Sequence, residues 1–214
     1  MNQFNLINST KFTTPLLTFQ YPKLLEPDTK FSPDGRYECQ GHCPVDQGAT
    51  LADQLDKFLE EHKASLKAQS PTTKFKLTDL PWGYNETNGR PTFFVKTKCK
   101  ASGIDREGKA WSRKPVLFDA QGSVVQDRST LDGMWSGTTG RISFIASPFY
   151  TAAIGAGITL RLLAVQIIQL KSQGGNGTDH GFSAEEGWTP SASKKAETVP
   201  YNGEASVEFD PLDF

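Results

Sequence analysis

The clearest pattern in the sequence is TFFVKTKCK, residues 92–100. Successive side chains of a strand point to opposite faces of a sheet. The pattern therefore predicts a strand over Phe93–Ala101 whose two faces differ in character. The buried face is expected to carry Phe93, Val95, Thr97 and Cys99, and the opposite face Phe94, Lys96, Lys98 and Lys100.

Three lysines in alternate positions stand about 6.6 Å apart along a strand and repel one another unless an anion lies beside them. A nucleic-acid backbone carries phosphates at a comparable spacing. The lysines are therefore candidates for phosphate contacts. The alternative is that they solubilise an exposed sheet face or protect a sheet edge from pairing.

Charge is segregated along the whole chain. Between Arg90 and Lys114 there are eight basic residues and only two acidic ones, Asp105 and Glu107. Residues 1–174 hold 21 Lys and Arg against 16 Asp and Glu, whereas residues 175–214 hold two lysines against eight acids. The net charge of −1 hides this contrast. A basic body followed by an acidic tail predicts a polyanionic partner.

The sequence of the body, residues 1–174, predicts a mainly β fold. Nineteen glycines and thirteen prolines separate segments rich in β-branched and aromatic residues, which favours many short strands. Further strands are predicted at 4–20, Arg36–Cys39, Val116–Asp119, Arg141–Ala146 and Ile154–Leu170, with a proline-rich loop over 22–35. This set predicts an OB fold, a five-stranded Greek-key barrel, with one inserted α-helix. A β-sandwich is the competing architecture.

One helix is predicted, from about Leu51 to Gln69, with Thr50 as its cap and Asp53 three residues on. Its apolar stripe consists of Leu51, Leu55, Phe58, Leu59 and Leu66.

Two regions are expected: a folded domain over 1–174, and a linker with an acidic tail over 175–214. The last 19 residues contain five acids and no basic residue, and they end in Phe214. Such a segment has too little apolar surface to fold alone, so we expect a disordered tail that can mimic a polyanion. A solvated terminus with no further role is the alternative.

The N-terminal residues carry neither a basic segment nor an apolar run typical of a signal peptide. The longest apolar stretch, Ile154–Leu170, contains Arg161 and is rich in Ile, Val and Thr, which favours a strand over a membrane helix. We therefore expect a soluble intracellular chain with no membrane association. Its three cysteines are expected to be reduced thiols.

Aromatic residues beside the basic segment would complete a single-strand site, because bases stack on aromatic rings with little regard to sequence. Several aromatics lie among Gly and Pro, where exposure on loops is expected. The Ser147-Pro148 pair is expected to end a strand and to present the two following rings on a loop. The candidates are Trp82, Tyr84, Trp111, Trp135, Phe149 and Tyr150.

Catalytic patterns are absent from the sequence. There is no phosphate-binding P-loop and no G-x-S-x-G motif, and His42, His62 and His180 are far apart. The segment from Cys39 to Cys43 resembles half of a metal site, to which Cys99 could add a ligand, but no second paired motif exists. No enzymatic activity, metal or cofactor is therefore expected.

With these features in place, the chain resembles the single-stranded DNA-binding proteins of T7-like short-tailed bacteriophages, a family of OB-fold replication proteins. The order of elements is similar, including the helix inserted after the early strands. The matching motifs are Lys11-Phe12-Thr13, Gly35-Arg36-Tyr37, Lys96-Thr97-Lys98-Cys99, Pro148-Phe149-Tyr150, Ile154-Gly155-Ala156 and the terminal Asp213-Phe214.

The resemblance implies a protein that coats single-stranded DNA in the cytoplasm of an infected bacterium during replication, recombination and repair, and that promotes strand annealing. It also implies a homodimer whose tail contacts the phage DNA polymerase and primase-helicase. A viral structural or assembly β-sandwich protein and an RNA-binding chaperone are the alternatives. The predicted DNA-binding residues are Arg36, Trp82, Tyr84, Lys96, Lys98, Lys100, Trp111, Arg113, Lys114, Arg141, Phe149 and Tyr150. The predicted partner-binding residues of the tail are Glu208, Asp210, Asp213 and Phe214.

Overall fold

The computed structural model describes residues 4–30, 33–105, 107–131 and 133–171. This part of the chain contains ten strands, one α-helix and one 3-10 helix. In chain order the elements are β1 (Thr10–Thr13), β2 (Leu17–Asp28), β3 (Arg36–Pro44), α1 (Val45–Gln69), β4 (Trp82–Thr87), β5 (Arg90–Lys100), β6 (Ser102–Ile104), β7 (Ala110–Ser112), β8 (Val116–Phe118), the 3-10 helix (Arg128–Leu131), β9 (Thr139–Thr151) and β10 (Gly155–Gln169).

Five strands close into a barrel. β2 pairs with β3, β3 with β5, β5 with β10, β10 with β9, and β9 returns to β2. The β5–β10 pairing is parallel, and the other four are antiparallel. A closed ring of five strands is the OB architecture that the sequence predicts, so the prediction is confirmed and the β-sandwich alternative is wrong.

The barrel is filled by the inward-facing residue of each strand. Phe19, Phe93 and Phe144 are fully buried there. Cys39, Cys43 and Cys99 are also buried and all three thiols are free, as predicted. Burial raises the pKa of Cys43 to about 11, which leaves its thiol protonated and unreactive at neutral pH.

The helix starts at Val45, directly after β3, and not at Leu51 as predicted. Thr50 therefore lies inside α1 and does not cap it. The early start depends on Gly48, because a Cβ at this position would lie 2.5 Å from the side chain of Phe93. The helix backbone can thus touch the barrel one turn after Pro44. The predicted apolar stripe is confirmed, since Leu51, Leu55, Phe58, Leu59 and Leu66 are all buried.

Two strand predictions need correction. The segment 4–20 contains β1 and the start of β2, and β2 continues through Pro22 and Pro27 to Asp28, so the loop is shorter than predicted. Prolines are tolerated there because this part of β2 pairs only with β3. A residue on the unpaired side of an edge strand makes no ladder hydrogen bond, so it does not need an N–H group.

Ser147 and Pro148 do not end a strand. They lie inside β9, where Pro148 is in register with Ile158 of β10.

Among the described residues, no helix has both the length and the apolar character of a membrane span.

His62 is a buried histidine that is expected to make the stability of the fold depend on pH. It is fully buried, and its Nε2 donates to the backbone oxygen of Phe149 at 3.1 Å. Its Nδ1 has no partner among the described residues. Burial lowers the pKa of His62, and that of the half-buried His42, below the ordinary value near 6.5. Around and below pH 6.5 these two histidines bind more protons in the unfolded chain than in the folded one. Their contribution to the free energy of unfolding is therefore fully present above pH 6.5 and is lost as the pH falls.

We therefore expect the free energy of unfolding, measured by urea denaturation, to decrease as the pH falls from about 6.5 towards 5. A His62→Gln variant keeps a donor for the Phe149 carbonyl and should show a shallower decrease. An unchanged slope in this variant would contradict the assignment.

Candidate nucleic-acid interface

β5 presents a row of lysines on the outside of the barrel. Lys96, Lys98 and Lys100 are exposed, whereas Thr97 and Cys99 between them are buried. The alternation predicted from the sequence is therefore confirmed, and the lysines share one face.

A cleft of about 460 Å³ crosses this face and extends over three neighbouring strands. Lys98 is in register with Glu38 of β3 on one side and with Arg161 of β10 on the other. The cleft thus runs across the strands and not along them. It is lined by Gly35, Arg36, Lys98, Cys99, Lys100, Trp111, Arg113, Thr159, Leu160 and Arg161.

The cleft is strongly cationic. Five of its lining residues are Lys or Arg, and none is Asp or Glu. Arg36 pairs with Glu38 at 2.6 Å and Lys100 with Asp34 at 3.4 Å. Within the described part of the chain, Lys98 and Arg161 have no carboxylate within ion-pair distance. Two adjacent cations without counter-charges favour an anionic ligand.

Trp111 supplies a half-buried aromatic wall. It lies on the β6–β7 hairpin in register with Gly103, where a Cβ would come within 2.6 Å of the indole. Only glycine leaves room for the ring to lie across the hairpin. The Arg113 guanidinium sits 4.8 Å from the ring centroid, a cation–π contact that restrains both groups. An aromatic ring beside positive charge is the combination by which single-strand binders stack bases and hold the backbone.

A smaller cleft of about 210 Å³ adjoins the first and shares Lys98 with it. It is lined by Glu38, Cys39, Gln40, Pro81, Lys96, Thr97 and Lys98. The Lys96 ammonium lies 5.2 Å from the ring centroid of Phe94. Lys96 therefore extends the cationic surface along β5.

The structure brings six of the predicted residues to these clefts and leaves the others elsewhere. Arg36, Lys98, Lys100, Trp111 and Arg113 line the larger cleft, and Lys96 lines the smaller one. Lys114 and Arg141 are exposed, but neither lines a cleft described above. Tyr84 is 55% exposed on β4, with its ring 5.7 Å from that of Phe93.

The prediction that Trp82 is exposed on a loop is wrong. It begins β4, is 3% exposed, and donates from Nε1 to Asp56 Oδ1 at 2.9 Å. This bond ties β4 to the outer face of α1. The ring is a core residue, because the helix covers it.

The loop prediction for Phe149 and Tyr150 is also wrong. Both are half-buried within β9. The Tyr150 ring packs edge-on against Phe4 and Phe75, with centroid distances of 4.8 and 5.3 Å. Tyr150 therefore packs β9 against the N-terminal residue Phe4 and the segment that carries Phe75. Trp135 lies in the loop before β9 and does not line the clefts. Glu208, Asp210, Asp213 and Phe214 lie outside the described residues.

Arg161 and Thr159 were missed as site residues by the sequence analysis. Arg161 stands out within an apolar stretch, and that signal could have marked it. Its place beside Lys98 depends on the parallel β5–β10 pairing, which local sequence does not indicate.

The half metal site suggested by Cys39 to Cys43 is not assembled, because the strand places its residues on opposite faces. Cys39 and Cys43 face the core, while His42 lies on the other face of β3. No group of three or more His, Cys, Asp or Glu residues in the described segments is placed to hold a metal ion.

Comparisons with known proteins agree with this geometry. No protein-family model matches the chain. It is 28% identical over 134 residues to the single-stranded DNA-binding protein of Enterobacteria phage T3, and 30% identical over 135 residues to that of Escherichia phage T7. These matches cover 61% and 62% of the chain, and the chain spans 55% of the length of each relative.

The fold is similar to that of gp2.5, the single-stranded DNA-binding protein encoded by bacteriophage T7, with a TM-score of 0.65 and 24% identity. That match covers 86% of this chain and the whole of the other. The single-stranded DNA-binding protein of bacteriophage Enc34, solved with single-stranded DNA, matches with a TM-score of 0.55 and 12% identity over 77% of this chain and 89% of the other. The resemblance to the single-stranded DNA-binding proteins of T7-like phages is therefore confirmed.

Proposed function

We propose that the chain is a non-enzymatic binder of single-stranded DNA that acts without strong sequence preference. The observation that carries the proposal is the cleft across β3, β5 and β10, where Lys98 and Arg161 stand in register without acidic partners in the described segments. The relatives named above are phage single-stranded DNA-binding proteins, and the OB barrel uses the same region to bind oligonucleotides.

The residues assigned to the binding surface follow from the cleft. Lys98, Arg161, Lys100, Arg36 and Arg113 supply positive charge for phosphates, and Lys96 extends this surface along β5. Trp111 supplies a ring on which a base can stack. Phosphate contacts and base stacking carry little sequence information, which supports binding to all sequences alike.

A salt titration tests the function. The affinity for oligothymidine should fall steeply from 50 to 300 mM salt, with a log–log slope of about −0.7 for each phosphate contacted. Oligomers of matched length and different sequence should bind with similar affinities. An affinity that does not change with salt would refute the proposal.

RNA is a second candidate ligand, because the same surface offers phosphate contacts and stacking to either polymer. Competition between matched DNA and RNA strands separates the two.

A structural role in the virion is not favoured, because it gives no account of the unpaired cations in the cleft.

We also propose that the acidic tail, 175–214, occupies the cationic cleft when DNA is absent and is released to partners when DNA binds. The tail carries eight acids and ends in Phe214, so its charge is complementary to the cleft. A tethered segment can reach an effective concentration on the order of millimolar. The partners would be the phage DNA polymerase and primase-helicase, in the cytoplasm of an infected bacterium. Homodimer formation, strand annealing and roles in recombination and repair belong to the same proposal.

Deleting residues 196–214 tests the tail. The truncated chain should bind oligothymidine more tightly at low salt, because a tethered competitor is lost, and it should no longer bind the polymerase. A matched variant, with Glu197, Glu204, Glu208, Asp210 and Asp213 changed to their amides, should behave like the truncation. Equal DNA affinity in the full-length and truncated chains would contradict competition.

A further inference from the structure

Two exposed aromatic side chains lie on adjoining segments outside the cleft. Tyr21 is 78% exposed and Trp135 is 47% exposed. The backbone N–H of Tyr21 donates to the Ser136 Oγ at 2.8 Å, so adjoining segments of β2 and of the loop before β9 carry the two rings. We call Tyr21 and Trp135 the aromatic pair.

The backbone holds the aromatic pair in place. Tyr21 has a φ of +45° at an irregularity of β2, a conformation that is rare for a bulky residue. Trp135 donates its backbone N–H to the Lys171 carbonyl at 2.9 Å and accepts from the Thr138 N–H at 3.2 Å. The core does not need the Tyr21 ring, because most of this side chain is in solvent. Unfavourable backbone geometry that presents an exposed ring is typical of a binding site.

The aromatic pair is continuous with the cationic cleft. Arg161, Lys98, Glu38 and Lys23 form one transverse row across β10, β5, β3 and β2, each in register with the next. Three of these four residues are basic, and the single acid, Glu38, is paired with Arg36 at 2.6 Å. Three strand spacings of about 4.8 Å separate the two ends of the row. Tyr21 lies two residues before Lys23 on β2.

We propose that single-stranded DNA leaves the cleft at Lys98, crosses β3 along this row, and stacks bases on Tyr21 and Trp135. The aromatic pair is then a second stacking platform of the same site, and it is used only by strands long enough to reach it. This inference rests on the proposed function. It predicts that the pair contributes affinity that depends on oligonucleotide length.

A length series tests the inference. The full chain and a Tyr21→Asn/Trp135→Leu variant are titrated with oligothymidines of about 4 to 16 nucleotides, the range of site sizes for OB folds. Asn tolerates the backbone conformation of Tyr21 and keeps the N–H bond to Ser136. The variant should match the wild type on the shortest oligomer that binds. On the longest oligomers it should bind about 30-fold more weakly or worse, because two stacking rings are lost.

A Tyr21→Phe/Trp135→Phe variant keeps both rings and should retain the wild-type gain in affinity with length. This control separates loss of stacking from a folding defect. Equal affinities of the Asn/Leu variant and the wild type at every length would overturn the second platform and leave the proposed function intact. A wild-type chain that binds no oligothymidine of any length would overturn both.

Discussion

Replacing Lys98 and Arg161 together with alanine is expected to weaken oligothymidine binding by about 10- to 100-fold at moderate salt. The two side chains stand in register on adjacent strands inside the cleft. Neither has an acidic partner in the described segments, so each is available to neutralise one phosphate. The loss should be the same for all sequences, and the log–log salt slope should become shallower by about 1.4.

The charge-matched control is Lys57→Ala with Lys67→Ala. Both lysines are exposed on α1, outside the cleft. The control removes the same net charge and should change affinity far less than the cleft variant. If the two double variants lost affinity equally, binding would depend on net charge alone and the cleft would have no special role.

Replacing Phe93 with alanine is expected to have the largest effect on stability, a decrease in the free energy of unfolding of about 3–5 kcal/mol. Phe93 is fully buried in β5 and packs against Gly48 at the start of α1. It therefore joins the strand that carries the lysines to the helix that covers the barrel. Truncation would leave a cavity at that junction.

Urea denaturation at pH 7.5 measures this effect. Tyr84→Ala is a suitable control, because the Tyr84 ring lies beside Phe93 but is half exposed. It should cost less than about 1 kcal/mol. A Phe93→Ala cost as small as that of Tyr84→Ala would mean that α1 is not packed on β5 as described.

The sequence predicts those parts of the molecule that depend on local periodicity. The alternation of residues 92–100 indicates both the buried and the exposed face of β5, and the apolar stripe identifies the buried side of α1. Both predictions are confirmed. In each element one face is buried and the other faces solvent, so the apolar period in the sequence identifies the buried face.

The incorrect predictions share a physical cause, which is that tertiary contacts decide them. Trp82 stands between Pro and Gly, as in an exposed loop, but α1 covers it and Asp56 accepts its N–H. Pro148 is typical of a strand end, yet β9 continues through it because β10 pairs alongside. The early start of α1 depends on the close approach of Gly48 to Phe93.

The proposed binding site is only half visible in the sequence. The lysines of β5 form a local pattern, whereas Arg161 joins them through a parallel pairing between strands some 60 positions apart in the chain. Trp111 reaches the same cleft through the β6–β7 hairpin, which the sequence analysis did not predict. Sites assembled from separate strands require the register of the sheet, and local patterns do not supply it.

A structure of this chain bound to a short oligothymidine tests the central claim most directly. We expect phosphate oxygens within about 2.7–3.2 Å of the Lys98 and Arg161 side-chain nitrogens, and a base stacked on Trp111. A strand bound elsewhere, for example along the exposed lysines of α1, with Lys98 and Arg161 facing only solvent, would contradict the account.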